Sequence, residues 1–200
     1  MTKILQKEAP VLHMQAEPVS QKDIGSPRLG KIITDMKALL TEEEDGVGIA
    51  APQIGIPLRI FVVSHRAFEY ADDHDEAPTN IARGAESAQK PAHEDLVFIN
   101  PEIIKLSRKK KWLPEGCLSV RWLYGETLRA EKATVRAYDE YGKRFTRGGS
   151  GLLAQIFQHE VDHLNGILFN DHAKNLEKIS PEEQKKMWSV PTAEGREKTK

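Results

Sequence analysis

The pattern of apolar residues is most regular between Gly151 and Gly166. Steps of three and four positions separate these residues, which predicts one mostly buried helix. Ser150 can act as its N-cap, and Gly166 is the kind of residue that ends a helix. The rest of the chain is expected to pack around this helix. Its apolar positions are Leu152, Leu153, Ile156, Phe157, Val161 and Leu164.

Other segments predict two further helices and several strands. Amphipathic spacing predicts a helix from about Pro27 to Leu40, and Ser-Pro-Glu-Glu at position 180 predicts a last helix that ends near Trp188. Short apolar runs predict strands at 59–64, 96–100, 102–107, 110–113, 134–138 and 144–146. The predicted fold class is therefore α+β, with mainly antiparallel sheets packed around this central helix and with an N-terminal and a C-terminal helix.

One domain is expected from the length of 200 residues and the apolar content of 39 %. Residues 3–19 predict an extended arm that packs on this domain. The polar, non-periodic segment at about 66–95 predicts an inserted surface loop, which could cover or extend a cleft. We predict that the main domain covers 1–172, and that 173–200 form the C-terminal helix and a flexible tail.

The charge balance argues against some classes of partner. The sequence has 29 basic and 30 acidic residues, which offers no electrostatic basis for binding nucleic acid or a membrane surface. No apolar run approaches the roughly 20 residues of a membrane span, and no secretory apolar core is visible near the N-terminus. Cys117 is the only cysteine, so no intramolecular disulfide can form. A cytoplasmic protein is therefore expected.

Polar groups interrupt the central helix in a pattern typical of a metal site. His159 and His163 are four positions apart, so both imidazoles lie on one helix face and can bind one divalent cation. Glu160 lies beside them, where it can act as a general base. A chance match on a surface helix is the alternative. Against it, these polar groups are set among apolar residues and would need other partners if no metal were bound.

The third metal ligand indicates the class of enzyme, because a catalytic site usually combines three protein ligands with an open position. The long metalloprotease signature fails, since Phe169 stands where its last histidine is required. Glu182 or Glu183 has the spacing of a thermolysin-like glutamate, although acids in a first helical turn are favoured for capping alone. Cys117 is the other candidate, since a thiolate and two imidazoles suit a borderline metal. Spacing alone leaves both open.

A glycine-rich stretch from Gly46 to Gln53 precedes the first predicted strand. Its small residues allow a ligand to approach the backbone closely, and the Gln53 amide can donate a hydrogen bond. The stretch lacks Gly-x-Gly-x-x-Gly and Gly-Lys-Ser/Thr, which argues against a nucleotide-binding loop. A tight turn between helix and strand is the simpler structural interpretation.

Three blocks of the sequence resemble the motifs of the peptide deformylase family, in that family's order. Gly46 to Gln53 resembles Gly-x-Gly-x-Ala-Ala-x-Gln, Glu115 to Ser119 is Glu-Gly-Cys-Leu-Ser, and His159 to His163 is His-Glu-Val-Asp-His. The similarity covers most of the chain from residue 3 to about residue 172, outside the insert and the tail. It implies that 1–172 form a peptide deformylase-like catalytic domain.

The resemblance implies an enzyme that removes the formyl group from the N-terminal formyl-methionine of newly made polypeptides and releases formate. Cys117, His159 and His163 would bind one divalent metal ion, typically Fe2+, although Zn2+, Ni2+ or Co2+ suits the same ligands. Hydroxide held by the metal would attack the formyl carbonyl, with Glu160 as general base and then general acid. The implied partners are nascent formyl-methionyl peptides, with transient contact to the ribosome.

Further roles near the metal follow from the same resemblance. The Gln53 side-chain amide and the Leu118 backbone N–H would stabilise the oxyanion that forms during hydrolysis. The Gly48 backbone would bond to the peptide chain of the substrate, and its lack of a side chain allows that approach. These three residues complete the implied catalytic and substrate-binding groups.

Specificity for methionine requires an apolar pocket beside the metal. Our candidates for this pocket are Val47, Leu152 and Ile156. Leu152 and Ile156 precede His159 by about two turns and one turn on the same helix face. The alternative is that all three are ordinary core residues.

The sequence departs from the family pattern at Arg121, where the family usually has proline. This departure leaves the metal ligands in place but changes the rim that would meet substrate residues beyond the methionine. Two other functions remain open at this point. One is a zinc metallopeptidase that uses Glu182 or Glu183, and the other is a metal-binding regulatory member of the family without turnover.

Overall fold

The computed structural model describes residues 2–68, 94–180 and 182–183. These residues form a five-stranded sheet of order β1-β2-β3-β6-β7 and a three-stranded sheet of order β4-β5-β8, with all neighbours antiparallel. The α-helices that lie wholly within them are α1 (Pro27–Glu42) and α2 (Gly151–Leu164). The strands are β1 (Gly48–Ala50), β2 (Ile60–Val63), β3 (Leu96–Leu106), β4 (Lys110–Gly116), β5 (Leu123–Ala130), β6 (Lys132–Tyr138), β7 (Arg144–Ser150) and β8 (Lys174–Lys178).

The five-stranded sheet lies between the two helices. β2 is buried along its whole length, because alternate side chains face opposite helices. Ile60 and Val62 belong to the core cluster that contains the apolar face of α1. Phe61 and Val63 belong to the cluster that contains the apolar face of α2. A strand covered on both faces has no polar side, which is why it reads in the sequence as a continuous apolar run.

α1 begins at a capped turn and covers one face of this sheet. The Ser26 hydroxyl accepts a hydrogen bond from the Leu29 N–H at 3.3 Å, and Pro27 occupies the first helical position. The helix continues to Glu42, two residues beyond the predicted end. Its buried residues follow the helical period and are Leu29, Ile33, Met36 and Leu40.

α2 lies on the opposite face of the sheet, at the centre of the second core cluster. The Phe157 ring meets Phe98 edge-on, with the two centroids 5.3 Å apart, and Phe98 stacks on Phe61. Ser150 takes the N-cap position with extended backbone, although its side chain makes no capping hydrogen bond. Gly166 follows the last turn with a φ of 74°. The predicted central helix is therefore present.

The three-stranded sheet contacts the polar side of α2 through β4 and β5. In β5 the residues that are most deeply buried within the strand include Gly125, Thr127 and Arg129, so polar side chains point inward where apolar ones are usual. β8 is exposed along its whole length. Neither β5 nor β8 alternates between apolar and polar residues, and the sequence analysis predicts neither strand. β1 was likewise not predicted, because it has only three residues.

Three predicted boundaries are wrong. The predicted strands 96–100 and 102–107 are one strand, β3, whose pairing with β6 is irregular after Ile99. The strand predicted at 110–113 ends too early, because residues 114–116 continue β4. The sequence also predicts a C-terminal helix and tail from residue 173, whereas 174–178 form β8 and pair with β5. The ordered fold therefore extends beyond residue 172.

Several predicted segments lie outside the described residues. These are most of the insert, at 69–93, and the greater part of the last helix and the tail, at 184–200. At the start of the predicted last helix, Glu183 Oε2 accepts a hydrogen bond from the Ser180 N–H at 2.8 Å. The Glu183 N–H donates to Ser180 Oγ at 3.3 Å, which completes a capping box. Within the part of the chain that the structure describes, no helix has the length and apolarity needed to cross a membrane.

Candidate active site

Three potential metal ligands meet between β4 and α2. Cys117 directly follows β4, and His159 and His163 lie one turn apart on α2 with their ring centroids 4.9 Å apart. One ligand atom from each of the three residues lies within 4.8 Å of the other two. The Cys117 Sγ and the His163 Nε2 are 3.1 Å apart. The structure thus brings together the three residues that the resemblance names as ligands.

Two N–H groups approach the Cys117 sulfur. The Ser119 backbone nitrogen lies 3.4 Å from Sγ, and the Gln53 Nε2 lies 3.6 Å from it. The loop turns back on itself here, since the Val120 N–H donates to the Cys117 carbonyl at 3.0 Å. These contacts fix the direction of the sulfur and stabilise negative charge on it, as outer contacts of a metal ligand do.

A buried carboxylate orients the first histidine. The His159 Nδ1 lies 2.7 Å from Glu115 Oε1, which leaves Nε2 as the nitrogen available to a metal. Burial by itself lowers the pKa of His159, but hydrogen bonds with Cys117 and Glu115 outweigh burial and raise this pKa well above its ordinary value. A cation bound at the cluster would take the place of that proton.

Glu115 is held in turn by donors from β5 and α2. The Arg129 Nε lies 3.0 Å from Oε2, and its Nη2 lies 2.7 Å from Oε1. Thr127 Oγ1 and Gln155 Nε2 lie 2.6 and 3.2 Å from Oε2. Burial raises the pKa of Glu115, but His159 and Arg129 more than offset burial and hold this pKa far below its usual range. The carboxylate is therefore ionised and fully paired.

The second histidine has a different environment. His163 is buried, and its Nδ1 has no hydrogen-bond partner among the described residues. Burial lowers the pKa of His163 well below its ordinary value, and the charge on His159 lowers it further. A neutral imidazole results, which is the form that binds a metal ion.

Glu160 is buried beside the ligand cluster without a comparable set of partners. Only 3 % of the residue is exposed, and its Oε2 has no hydrogen-bond partner in the described part of the chain. Burial raises the pKa of Glu160 to about 7, against an opposing effect of the charge on His159. A Cβ at Gly48 would overlap Glu160 Oε1. The absence of a side chain at Gly48 therefore lets β1 lie directly against this carboxylate.

Gln53 and Leu118 both lie beside the sulfur, on segments held by hydrogen bonds. The Gln53 Oε1 accepts from the Ala50 N–H at 2.8 Å, and its Nε2 donates to Ser119 Oγ at 3.1 Å. The Leu118 carbonyl accepts from the Gln6 Nε2 at 3.1 Å. The N-terminal arm thus contacts the loop that carries the thiol.

The three candidates for the methionine pocket differ in burial. Ile156 is buried, and its Cγ2 lies 3.1 Å from the position that a Cβ would take on Gly48. Val47 and Leu152 are partly buried and pack at the border of the same core cluster. Val47 also immediately precedes Gly48, so two of the three candidates lie next to β1. Partial burial is consistent with residues that belong both to the core and to the wall of a pocket.

The other candidates for the third ligand have a different role or position. The Glu183 carboxylate accepts the Ser180 N–H in the capping box described above. The group of ligand atoms that could hold a metal in the described residues contains Cys117 and neither Glu182 nor Glu183. The geometry therefore favours the thiolate over a thermolysin-like glutamate.

The residues at this site fit one divalent metal ion. Two nitrogens and a sulfur within 4.8 Å of one another suit a borderline metal and leave room for a further ligand. Without a cation, the buried His163 Nδ1 and Glu160 Oε2 would lie beside the partly buried Cys117 and His159 without a partner among the described residues, although buried polar groups normally have partners. The donor set and the unpaired Glu160 oxygen both agree with a metal-binding role.

Sequence reasoning missed the residues that support the histidines. It gave Glu115 no role and did not single out Arg129, Thr127 or Gln155. Asp162, inside the His-Glu-Val-Asp-His block, lies 2.5 Å from the Arg129 Nη1. Both motif blocks contain a carboxylate, Glu115 in one and Asp162 in the other, which was an available signal. A metal-binding histidine nearly always needs a carboxylate or carbonyl that contacts its other ring nitrogen and orients the ring.

Fold and site together define the class of protein: antiparallel sheets packed around a helix that carries two of three potential metal ligands. The chain belongs to the peptide deformylase family, because the family model described as polypeptide deformylase matches residues 1–179. The family and the enzyme class predicted from the three motif blocks are confirmed.

Similar proteins support the same assignment. Peptide deformylase 1A, chloroplastic/mitochondrial, of Arabidopsis thaliana is 42 % identical over 163 residues, which cover 81 % of this chain but 57 % of the plant protein. The peptide deformylase of Carboxydothermus hydrogenoformans is 37 % identical over 174 residues, which cover 87 % of this chain and 94 % of that protein.

Solved structures agree with the fold. The class I type b peptide deformylase of Acinetobacter baumannii bound to Met-Ala-Ser superposes with a TM-score of 0.68 at 33 % identity, over 84 % of this chain and 97 % of that one. The same enzyme bound to actinonin gives a TM-score of 0.68 over 86 % of this chain and 97 % of that one. The predicted mixture of helices and antiparallel sheets is therefore confirmed.

Proposed function

We propose that this protein hydrolyses the N-formyl group from the N-terminal formyl-methionine of newly made polypeptides and releases formate. The observation that carries the proposal is the position of Glu160, which is buried beside the Cys117–His159–His163 cluster and directly against the edge strand β1. A base, a metal site and a backbone able to bind a peptide thus lie within one small region.

Glu160 acts as general base and then as general acid in this proposal. It accepts a proton from the attacking water and delivers that proton to the amine that leaves when the formyl C–N bond breaks. Its pKa of about 7, raised by burial, is close to the pH at which a cell works. A group with such a pKa can both take up and release a proton near neutrality.

Gln53 and Leu118 stabilise the charge that develops on the formyl oxygen. The Gln53 Nε2 and the Leu118 backbone N–H are donors next to the ligand cluster, and Gln53 is held in place by Ala50 and Ser119. Preorganised donors of this kind can contribute roughly 3 to 4 kcal/mol each to transition-state stabilisation.

The substrate peptide binds along β1. This strand pairs with β2 on one side and is the edge of the five-stranded sheet, so Gly48 can bond to an added strand. Val47, Leu152 and Ile156 line the pocket for the methionine side chain. The A. baumannii relative was solved with Met-Ala-Ser bound, which supports a peptide ligand that begins with methionine.

Cys117, His159 and His163 hold one divalent ion, for which we propose Fe2+, with Zn2+, Ni2+ and Co2+ as ions that the same donors accept. When bound, the ion would polarise the formyl group and lower the pKa of water towards about 7. We further propose that the enzyme acts in the cytoplasm on peptides emerging from the ribosome, with transient ribosome contact.

The test is release of formate from formyl-Met-Ala-Ser by protein purified without oxygen and loaded with Fe2+ or Ni2+. We expect turnover that requires the metal and that is abolished, together with metal binding, in Cys117→Ser. Glu102→Gln serves as the matched control, because Glu102 is an exposed carboxylate on β3 that pairs with Arg136. No formate from the metal-loaded wild-type protein would refute the proposed function.

A further inference from the structure

Arg121 connects the loop that carries Cys117 with the turn that leads into β1. Its Nη1 lies 2.9 Å from Asp45 Oδ2, and its Nη2 contacts Glu43 Oε2. The side chains of Arg121, Glu43 and Asp45 are only 21, 33 and 23 % exposed, so these ion pairs are partly buried. One guanidinium therefore pairs with two carboxylates from a different segment, a geometry that lysine could not reproduce.

The backbone of Arg121 is itself anchored. The Arg121 N–H donates to the Gln6 Oε1 at 3.3 Å, and the Gln6 Nε2 donates to the Leu118 carbonyl at 3.1 Å. A single side-chain amide from the N-terminal arm thus holds two points of the same loop. The guanidinium extends from a fixed base, which reduces the entropy lost when it pairs with the two acids.

The turn at residues 43–46, which carries the two acidic partners of Arg121, is also held by hydrogen bonds. Arg66 donates from Nη2 to the Leu40 carbonyl at 2.6 Å and from Nη1 to the Glu44 carbonyl at 3.1 Å. The Gly46 N–H donates to the Glu43 carbonyl at 3.0 Å and closes the turn. Only Gly46 and Val47 separate Asp45 from Gly48, the first residue of β1.

β1 is therefore attached to the cysteine loop at both of its ends. After the strand, Gln53 contacts Cys117 and Ser119. Before the strand, Asp45 and Glu43 pair with Arg121. The first attachment lies at the ligand cluster, whereas the second lies on the far side of Gly48 along the chain.

We propose that Arg121 is a positioning residue that fixes the spacing between β1 and loop 117–121, and so determines the affinity for substrate residues that follow the formyl-methionine. The inference rests on the proposed function. In the described part of the chain, the Arg121 side chain bonds to Asp45 and Glu43 and to no group of the ligand cluster. Its effect should therefore appear in the binding of the peptide chain. The breaking of the formyl bond should be unaffected.

The experiment compares Arg121→Gln with the control variant Arg136→Gln. Arg136 lies on β6, away from the edge strand β1, and pairs with the exposed Glu102. Each metal-loaded variant is assayed with formyl-Met-Ala-Ser and with formyl-methionine amide, which lacks the following residues. For Arg121→Gln we expect the KM of the peptide to rise roughly fivefold, as loss of a partly buried ion pair would give, with kcat within about twofold. The KM of the amide should not change, and Arg136→Gln should resemble wild type.

A second measurement does not depend on catalysis. Hydrogen exchange of the peptide that spans 43–50 should be faster in Arg121→Gln than in wild type and unchanged in Arg136→Gln, because the turn would open more often. Arg121→Lys should recover only part of both effects, since one ammonium cannot pair with two carboxylates in the same geometry.

The inference would be overturned by an unchanged peptide KM, by an equal rise of KM for both substrates, or by unchanged exchange at 43–50. A fall in kcat alone would also contradict it, because that would indicate disturbance of the metal site. Failure of the wild-type protein to release formate would instead refute the proposed function, and hydrogen exchange would still report whether Arg121 holds the turn.

Discussion

Two buried glutamates on either side of His159 have opposite properties. Glu115, behind the histidine, accepts hydrogen bonds from His159, Arg129 and Thr127. Glu160, beside the ligand cluster and against β1, leaves one oxygen without a partner among the described residues. The pKa of Glu115 is held far below its usual range, whereas burial raises the pKa of Glu160 to about 7.

The comparison distinguishes a carboxylate that supports a metal ligand from one that can take part in proton transfer. Burial acts against ionisation at both positions, so the difference comes from the partners that each carboxylate has. A paired carboxylate stays ionised and orients a ligand, as Glu115 does for His159. An unpaired one exchanges a proton near neutral pH, as a general base and acid must. We therefore expect substitutions at the two glutamates to have different consequences.

The largest expected effect is that of Glu160→Gln on turnover. We expect kcat to fall about a thousandfold, because the amide cannot accept the proton of water. Metal content should be retained, since Glu160 is not one of the three potential metal ligands. Formate release and metal analysis on the same preparation, with Glu102→Gln as control, give the answer. Turnover within tenfold of wild type would show that Glu160 is not the base.

Glu115→Gln should act on stability and on metal binding. The variant leaves Arg129 buried beside a neutral amide, and breaking such a pair costs about 3 kcal/mol or more of unfolding free energy. Loss of the group that orients His159 should weaken metal binding by roughly 10- to 100-fold. Denaturant unfolding and metal titration measure the two effects. A variant as stable as wild type with unchanged metal affinity would contradict the supporting role of Glu115.

The metal-free protein should show two opposite dependences of stability on pH. The folded-state pKa of Glu115 is depressed, so its contribution is complete above its unfolded value near 4.5 and is lost as pH falls. The folded-state pKa of Glu160 is raised from 4.5 to about 7, so the folded protein retains a proton that the unfolded chain has released. The contribution of Glu160 to stability should therefore decrease by up to roughly 3 kcal/mol as pH rises from about 4.5 to 7. The depressed pKa of His163 acts in the opposite direction, because the unfolded imidazole binds a proton that the folded one does not.

Unfolding of chelator-treated protein at several pH values tests both slopes. Glu160→Gln should remove the loss between pH 4.5 and 7, and Glu115→Gln should reduce the loss below pH 4.5. If Glu160→Gln leaves the curve between pH 4.5 and 7 unchanged, the carboxyl does not titrate in that range in the folded protein.

The smallest expected effect is that of Gln155→Ala. Gln155 donates to Glu115 Oε2 at 3.2 Å and to the Pro114 carbonyl at 2.9 Å, and it is one of several donors to that carboxylate. Its loss should cost about 1 kcal/mol of unfolding free energy and leave kcat within about twofold. A loss of activity comparable with that of Glu160→Gln would show that Glu115 also takes part in the reaction.

The sequence by itself determined the elements and motifs that are local. The helical period from Gly151, the spacing of His159 and His163, and the three family blocks each lie within a short stretch. Apolar periodicity likewise indicated α1 and β2. Side chains four apart on a helix always share a face, so no knowledge of the rest of the fold was needed.

Only the tertiary structure decided which distant groups meet. It brought Cys117 to histidines more than forty residues later, paired Glu115 with Arg129 across β4 and β5, and set Gly48 against Glu160. It also placed β5 and β8 in one sheet, although neither strand has the apolar alternation from which a strand is predicted. Contacts between distant residues depend on how sheets and helices pack. The role of an inward-facing polar residue therefore depends on the partners that this packing brings next to it.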